Sequence, residues 1–188
     1  MGARGLICGV GINDADYDIS RVVNGVDVKC NFYKRWYYVL NRCYSEKVHA
    51  RQPRYVGCSV SNDWLTFSNF KRWMEKQDWH GKQLDKDILI RGNKVYSEGA
   101  CVFVSATVNS FVVGDDTDFS GATWCKRELK FRAQCRNPIT GKNVQLGYFS
   151  CRHEAHLAWK KRKHEYACQL AGLQTDERVA NALRTRYL

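Results

Sequence analysis

Basic and apolar side chains alternate along one short stretch of the chain. The apolar positions are Leu129, Phe131, Ala133 and Cys135, and the polar positions between them are Lys130, Arg132, Gln134 and Arg136. This period of two predicts a half-buried β-strand with a basic outer face. Such a face suits a polyanion, although the alternation alone fits equally well a strand whose outer side is only solvated.

The neighbouring residues predict the elements that would hold this strand. Two turn dipeptides follow it within residues 137–142, and Val144, Leu146 and Tyr148 then resume the alternation, so the pair is predicted to form a hairpin. Residues 121–126 predict a third strand. Ser150 is a candidate N-cap for a following helix, of which Ala155, Ala158, Trp159, Tyr166 and Leu170 can bury one side. The cations Arg152, Lys160, Lys161, Arg162 and Lys163 are left for solvent or a partner.

The charge of the chain is concentrated in the same region. The net charge of the 188 residues is +11, and residues 121–188 hold 14 of the 30 Lys and Arg but only 5 of the 19 acidic residues. The balance is +9 for this segment and +2 for residues 1–120. Nucleic acid is therefore the first partner to consider, and an anionic membrane surface the second.

The cysteine usage and the hydropathy restrict the setting of the protein. The nine cysteines contain no Cys-x-x-Cys pair, which favours a reducing compartment and gives no support to a structural zinc site. Five of them lie in apolar patterns and are predicted to be core residues: Cys43, Cys58, Cys101, Cys135 and Cys168. No stretch is long and apolar enough to span a bilayer, so no transmembrane segment is expected. The predicted partner is nucleic acid, and no membrane is predicted.

The N-terminal half predicts a hairpin and two aromatic helices. Valines surround Asn24-Gly25, as is typical of a short hairpin, and a helical pattern runs from Phe32 to Tyr44. The aromatic residues between Trp64 and Met74 are expected to form a core rather than a platform for stacking bases.

The C-terminal segment resembles the plant ethylene-response-factor (APETALA-type) DNA-binding domain over about fifty residues. The matching residues are Gly121-Ala-Thr-Trp124, Lys130-Phe-Arg-Ala133, Gly141-Lys142, Leu146-Gly-Tyr-Phe149 and Glu154-Ala155. In that family the sheet lies in the DNA major groove, where Arg and Gln can bind guanine and adenine edges. The resemblance implies DNA contacts by Trp124, Lys126, Arg127, Lys130, Arg132, Gln134, Arg136, Lys142 and Gln145.

A second resemblance covers the preceding segment. Arg42-Cys43-Tyr44, Asp63-Trp64-Leu65, Phe67-Ser-Asn-Phe70, Leu84-Asp85, Gly92-Asn93, Tyr96-Ser97, Cys101 and Asn109 resemble a group of phage HNH-type homing endonucleases. In that family a hairpin and a helix hold one divalent metal on the scissile phosphate. The resemblance implies catalytic roles for Asp85, Lys86, Asp87 and Asn93, with Asp85 as ligand of Mg²⁺ or another divalent metal.

Lys86 departs from the pattern of that family. It stands where the family has its general-base His, and a lysine at its ordinary pKa is protonated at neutral pH and cannot accept a proton. His80 and Asp87 are substitute candidates. The alternative is that Asp85 and Asp87 flank a turn and stabilise a β-hairpin.

The sequence thus predicts an α+β protein of two domains. Residues 1–116 would form an HNH-like (ββα-metal-like) domain, and residues 117–188 a basic DNA-binding domain with three antiparallel strands packed on one helix, joined by a linker at 112–120. The expected function is that of a double-stranded DNA-binding, homing-endonuclease-like phage protein in the cytoplasm of an infected bacterial host. The alternative is a catalytically inactive DNA-binding regulator or a protein that binds a host partner. RNA is a weaker candidate, because A-form RNA hides its major groove.

Overall fold

The computed structural model describes residues 5–113 and 118–188, and the chain divides into two compact units. The first unit contains the residues up to His80 together with Leu84–Phe103, and the second contains Gly81–Gln83 together with Val104–Leu188. Helices and small sheets occur together, which confirms the predicted α+β class. The division lies ahead of the predicted boundary at 116/117, and residues 114–117 of the predicted linker are outside the described residues.

The described chain up to Val104 forms short strands and three helices. The strands are β1 (Ser20–Val23), β2 (Val26–Lys29), β3 (Ser59–Val60), β4 (Gln83–Asp85), β5 (Val95–Tyr96) and β6 (Val102–Val104), and the helices are α1 (Asn31–Tyr44), α2 (Glu46–Arg51) and α3 (Phe67–Glu75). β1 and β2 form the predicted antiparallel hairpin. Its tip, Asn24-Gly25, has positive φ at both residues, as a tight two-residue turn requires. β3 and β5 pair in parallel.

Aromatic side chains of α1 and α3 form the core of the first unit. Trp36, Phe67 and Phe70 are completely buried. Trp36 Nε1 donates to the carbonyl of Trp64 at 2.7 Å, which satisfies the polar atom of this buried indole. The prediction that the aromatic run from Trp64 to Met74 forms a core is confirmed.

Asp14 holds the N-terminal segment against α3. Its carboxylate accepts hydrogen bonds from the backbone N of Ser68 at 2.9 Å and from Ser68 Oγ at 2.6 Å. Thr66, the residue at the N-cap position of α3, makes no side-chain cap bond. Asp14 therefore supplies an acceptor for one of the free amides of the first helical turn.

The chain after Val104 forms a three-stranded sheet and three helices. They are α4 (Ala106–Val112), β7 (Ala122–Cys125), β8 (Lys130–Arg136), β9 (Asn143–Phe149), α5 (Arg152–Ala171) and α6 (Glu177–Thr185). The sheet is antiparallel in the order β7-β8-β9, and α5 packs against all three strands. α5 begins one residue later than the predicted cap implied: Cys151 takes the N-cap position and makes no side-chain cap bond.

A β-bulge changes the pattern of faces in β9. Ala133 lies opposite Gly147, but the next residue of β8, Gln134, lies opposite Gln145, so Leu146 is an extra residue. An extra residue reverses the phase of the alternation. Tyr148 therefore points to the opposite face from Val144, and the sequence prediction of one alternating run through Val144, Leu146 and Tyr148 is wrong.

Two residues of α5 lie elsewhere than the sequence predicted. Lys163, assigned to solvent or a partner, is buried: its Nζ donates to the carbonyl of Phe111 at 2.6 Å and lies 3.8 Å from the centre of the Phe111 ring. Cys168, assigned to the core, is exposed, because the buried stripe of α5 passes through Ala167 and Leu170 instead. Because Phe111 belongs to α4, its contacts with Lys163 show that α4 packs against α5 within the second unit.

Candidate functional site

The basic residues of β8 form the solvent side of the three-stranded sheet. Ala133 and Cys135 are buried on the side of α5, so the residues that alternate with them point away from it. Directly opposed residues of paired strands share a face, so Tyr148 and Gln145 of β9, which lie opposite Arg132 and Gln134, also belong to this side. We define the outer face as Lys130, Arg132, Gln134, Arg136, Gln145 and Tyr148.

Arg132 occupies the middle of the outer face, opposite Thr123 of β7 and Tyr148 of β9. Its Nε is buried and has no hydrogen-bond partner among the described residues. Arg136 and Arg127 are already engaged: Arg136 Nε donates to the carbonyl of Gly141 at 3.1 Å, and Arg127 Nε donates to Glu128 Oε1 at 2.8 Å. Of these three arginines, Arg132 is the one whose Nε has no hydrogen-bond partner among the described residues.

Loops place the other predicted basic residues. Lys126 and Arg127 lie in the turn between β7 and β8, and Lys142 lies in the loop just before β9. All three are exposed. The Lys and Arg residues that were predicted to contact DNA therefore lie either on the outer face or in the two loops that border it.

Trp124 does not lie on the outer face. It pairs directly with Phe131, and the two rings meet edge to face with their centres 5.0 Å apart. Phe131 belongs to the face that α5 covers, yet Trp124 keeps 47% of its surface exposed on the edge strand β7. Any contact of Trp124 with DNA would come from the sheet edge.

Tyr148 is a residue of the outer face that sequence reasoning missed. The counted alternation placed it with the apolar residues Val144 and Leu146. Its position depends on the bulge at Leu146, and the one local signal for a bulge is Gly147, which has a φ of +139°.

The four predicted catalytic residues come together in the turn between β4 and β5. Lys86 Nζ donates to Asp87 Oδ2 at 2.9 Å and to the carbonyl of Asn93 at 2.7 Å. Asn93 Nδ2 donates in return to the carbonyls of Lys86 and Val95, each at 2.7 Å. These reciprocal bonds close the loop between its two ends. His80, the suggested substitute base, is exposed and stacks on Trp79.

Asp85 also acts within this turn. Its Oδ1 accepts the backbone N–H groups of Asp87 at 2.9 Å and of Ile88 at 2.7 Å. Burial raises the pKa of Asp85 above its usual range, and the nearby charge of Asp87 raises it further, while the two backbone donors oppose the rise. The carboxylate is therefore costly to ionise here and already serves as a backbone acceptor.

The donor set fits a structural turn better than a resident divalent metal. Two neighbouring carboxylates are ligands that Mg²⁺ accepts. However, one oxygen of Asp85 is committed to two amides, and the ammonium of Lys86 lies where it competes with a cation for Asp87. Within residues 5–113 and 118–188, no three His, Cys, Asp or Glu side chains are grouped so that they could hold a metal ion.

Comparison with known proteins adds no relative. No family model, no curated protein and no solved structure matches this chain. Among the helices of the described chain, none combines the length and the apolar character needed to cross a bilayer.

Proposed function

We propose that this protein binds double-stranded DNA through the outer face of its three-stranded sheet. The observation that carries the proposal is Arg132, whose buried Nε lacks a partner in the described structure at the centre of a basic face. A buried polar group without a partner costs about 1–3 kcal/mol, and more if it is charged. Guanine O6 and N7 are acceptors that a guanidinium can bind as a pair once its side chain turns outward.

The shape of the sheet favours duplex DNA over double-stranded RNA. A small β-ribbon enters the B-form major groove, which is about 12 Å wide, whereas the A-form major groove of RNA is too narrow for side chains to read. Gln134 and Gln145 lie opposite each other beside Arg132, and a Gln side chain can bind the N6 and N7 atoms of adenine. The outer face thus offers groups suited to both purines.

The resemblance to phage HNH-type proteins supports the remainder of the proposal. It suggests a homing-endonuclease-like phage protein that works in the cytoplasm of the infected host, with an HNH-like first unit. The nuclease candidate rests on this resemblance, which implies catalytic roles for Asp85, Lys86, Asp87 and Asn93 in one turn. Their closed hydrogen-bond network favours the second candidate, a DNA-binding regulator without cleavage activity, for which a host protein is a further candidate partner.

The proposed function is tested by measuring the affinity and the sequence preference of the protein for DNA duplexes. We expect selection from a random duplex pool to yield a preferred sequence, and Arg132→Ala to cost about 1–3 kcal/mol on that sequence while relaxing the preference. Arg184→Ala removes the same charge from an exposed residue of α6 and serves as the control. Equal affinities and preferences for wild type and Arg132→Ala would refute the outer face as the DNA-reading surface.

Cleavage assays decide between the two candidate functions. The full chain is incubated with the selected duplex in Mg²⁺ and in Mn²⁺, beside Asp85→Asn, which removes the charge and keeps an oxygen for the two backbone amides. Cleavage by the wild type that is lost in Asp85→Asn would support the nuclease. Binding without cleavage in either metal would support the regulator.

A further inference from the structure

Cationic side chains gather around Tyr55 in the first unit. The Cζ atom of Arg42 lies 5.3 Å from the centre of the Tyr55 ring, and that of Arg54 lies 5.1 Å from it. Lys94, which is distant in sequence, lies next to Arg54, because its Nζ donates to the carbonyl of Arg54 at 3.0 Å. We call Arg42, Arg54, Tyr55 and Lys94 the Tyr55 cluster.

Among the described residues, no carboxylate pairs with the cations of this cluster. Within the described part of the chain, Arg42, Arg54 and Lys94 form no ion pair with an acidic side chain. Several other cations do, as in the pairs Lys71–Glu75, Arg127–Glu128, Arg162–Glu165, Arg178–Asp176 and Arg184–Glu177. The segment 42–55 holds four Lys or Arg and one Glu, a net charge of +3.

The electrostatics of neighbouring groups agree with a positive potential here. Arg35 lies about two helical turns before Arg42 on α1. Burial lowers the pKa of Arg35, and the charge of Arg42 lowers it further. Burial raises the pKa of Cys43 to about 12, and the charges of Lys86 and Arg42 oppose that rise. The charges of Lys86, in the turn, and of Arg42, in the cluster, therefore both lower the pKa of the Cys43 thiol.

The cluster also adjoins the turn between β4 and β5. Lys94 directly follows Asn93, whose side chain closes that turn on Lys86. Burial raises the pKa of Tyr96, and the charge of Arg42 beside its hydroxyl opposes this rise. Guanidinium forks bind phosphate oxygens in pairs, and an ammonium adds a point charge, so this set suits a phosphodiester.

We propose that Arg42, Arg54 and Lys94 hold a backbone phosphate of a nucleic acid strand beside the turn of residues 85–93. The first unit then makes a DNA contact of its own. The affinity of the protein for DNA comes from this contact as well as from the sheet of the second unit. The choice of nucleic acid rests on the proposed function, whereas the site rests on the Tyr55 cluster. Contacts of this kind position a strand without reading its sequence.

The test measures how the affinity of the full chain for the selected duplex changes with salt. The double variant Arg54→Ala, Lys94→Ala removes two exposed charges and leaves the half-buried Arg42 in place. Each lost phosphate contact reduces the slope of log affinity against log salt by about 0.9. The variant loses the contact with this one phosphate, so we expect a slope smaller by about 0.9, and the affinity loss between 50 and 200 mM salt should be about 3.5-fold smaller than for the wild type.

A matched control removes two charges from the same unit. Arg72→Ala, Lys76→Ala affects exposed residues at the end of α3 and should leave the slope unchanged, and thermal unfolding checks the fold of both double variants. An equal loss in the control, or an unchanged slope in Arg54→Ala, Lys94→Ala while Arg132→Ala still weakens binding, overturns the Tyr55 cluster alone. Absence of duplex binding by the wild type overturns the proposed function as well.

Discussion

At the scale of single residues, Asp85 shows how one side chain can match a catalytic pattern and still have a structural task. Its Oδ1 accepts two backbone amides, and Lys86, Asp87 and Asn93 bind one another around it. A loss of activity in an Asp85→Ala variant would not show whether Asp85 takes part in DNA cleavage or only stabilises the turn. Alanine would remove the charge and the backbone acceptor together.

The two substitutions at Asp85 should therefore differ in stability. We expect Asp85→Ala to lower the free energy of unfolding by about 1–3 kcal/mol, because two backbone N–H groups lose their acceptor. Asp85→Asn keeps that acceptor and removes a buried charge. Chemical denaturation of both variants measures the difference, and equal losses would mean that the hydrogen bonds of Oδ1 contribute nothing.

The pH dependence of this comparison has a definite sign. The folded-state pKa of Asp85 is raised, so the folded protein binds more protons than the unfolded chain above the unfolded pKa of about 3.9. The contribution of Asp85 to the free energy of unfolding therefore falls as the pH rises from the unfolded pKa to the higher folded pKa. The difference in unfolding free energy between Asp85→Asn and wild type should consequently shift in favour of the variant as pH rises above about 4. A shift in the opposite direction would contradict the raised pKa.

At the scale of elements, the sheet and α5 depend on one close approach. Gly121 precedes β7 with a φ of +77°, and a Cβ built there would lie 2.0 Å from the Trp159 ring. A side chain at this position would force apart the strand and the helix that it packs against. Trp159 is itself buried on α5, so the ring has little room to move.

Gly121→Ala should therefore destabilise the second unit. We expect about 1–3 kcal/mol from overpacking, in addition to about 1–2 kcal/mol for the left-handed backbone. Gly141→Ala is the matched control, because its φ is +71° and the nearest atom, Arg136 Nη2, lies 3.7 Å from the built Cβ. Thermal or chemical unfolding measures both variants. Equal losses would show that the contact with Trp159 costs nothing.

At the scale of the whole molecule, α4 belongs with the sheet and the C-terminal helices. Three hydrogen bonds tie it to them within the second unit: Lys163 Nζ and Tyr187 Oη donate to the carbonyl of Phe111, and Arg186 Nη2 donates to that of Val112. The ring of Phe111 also covers the Lys163 ammonium at 3.8 Å. Without α4, a buried cation would lose both of these contacts.

A fragment of residues 104–188 should consequently be more stable than one of residues 117–188. The shorter fragment removes the carbonyl of Phe111 that accepts from Lys163 Nζ and the Phe111 ring beside it. Losing a hydrogen bond of a charged group costs about 1.5–3 kcal/mol. Denaturant unfolding followed by circular dichroism checks this. A cooperative transition of equal midpoint in both fragments would place the boundary after α4, at the position the sequence predicted.

The sequence by itself determined the features that arise from local periodicity. The alternation at 129–136 predicts β8, the Asn24-Gly25 dipeptide predicts the first hairpin, and the aromatic spacing at 64–74 predicts a core. In each case the pattern repeats with the period of one element, so that neighbouring residues are enough to indicate it.

Only the tertiary structure decided which of these residues meet. The bulge at Leu146 turned Tyr148 to the outer face, and the packing of α4 buried Lys163, because both depend on pairing between distant segments. The balance of +2 over residues 1–120 likewise conceals the cations that the fold collects around Tyr55. Charge summed along a chain does not record where folding places each charge, since Coulomb interactions depend on distance in space.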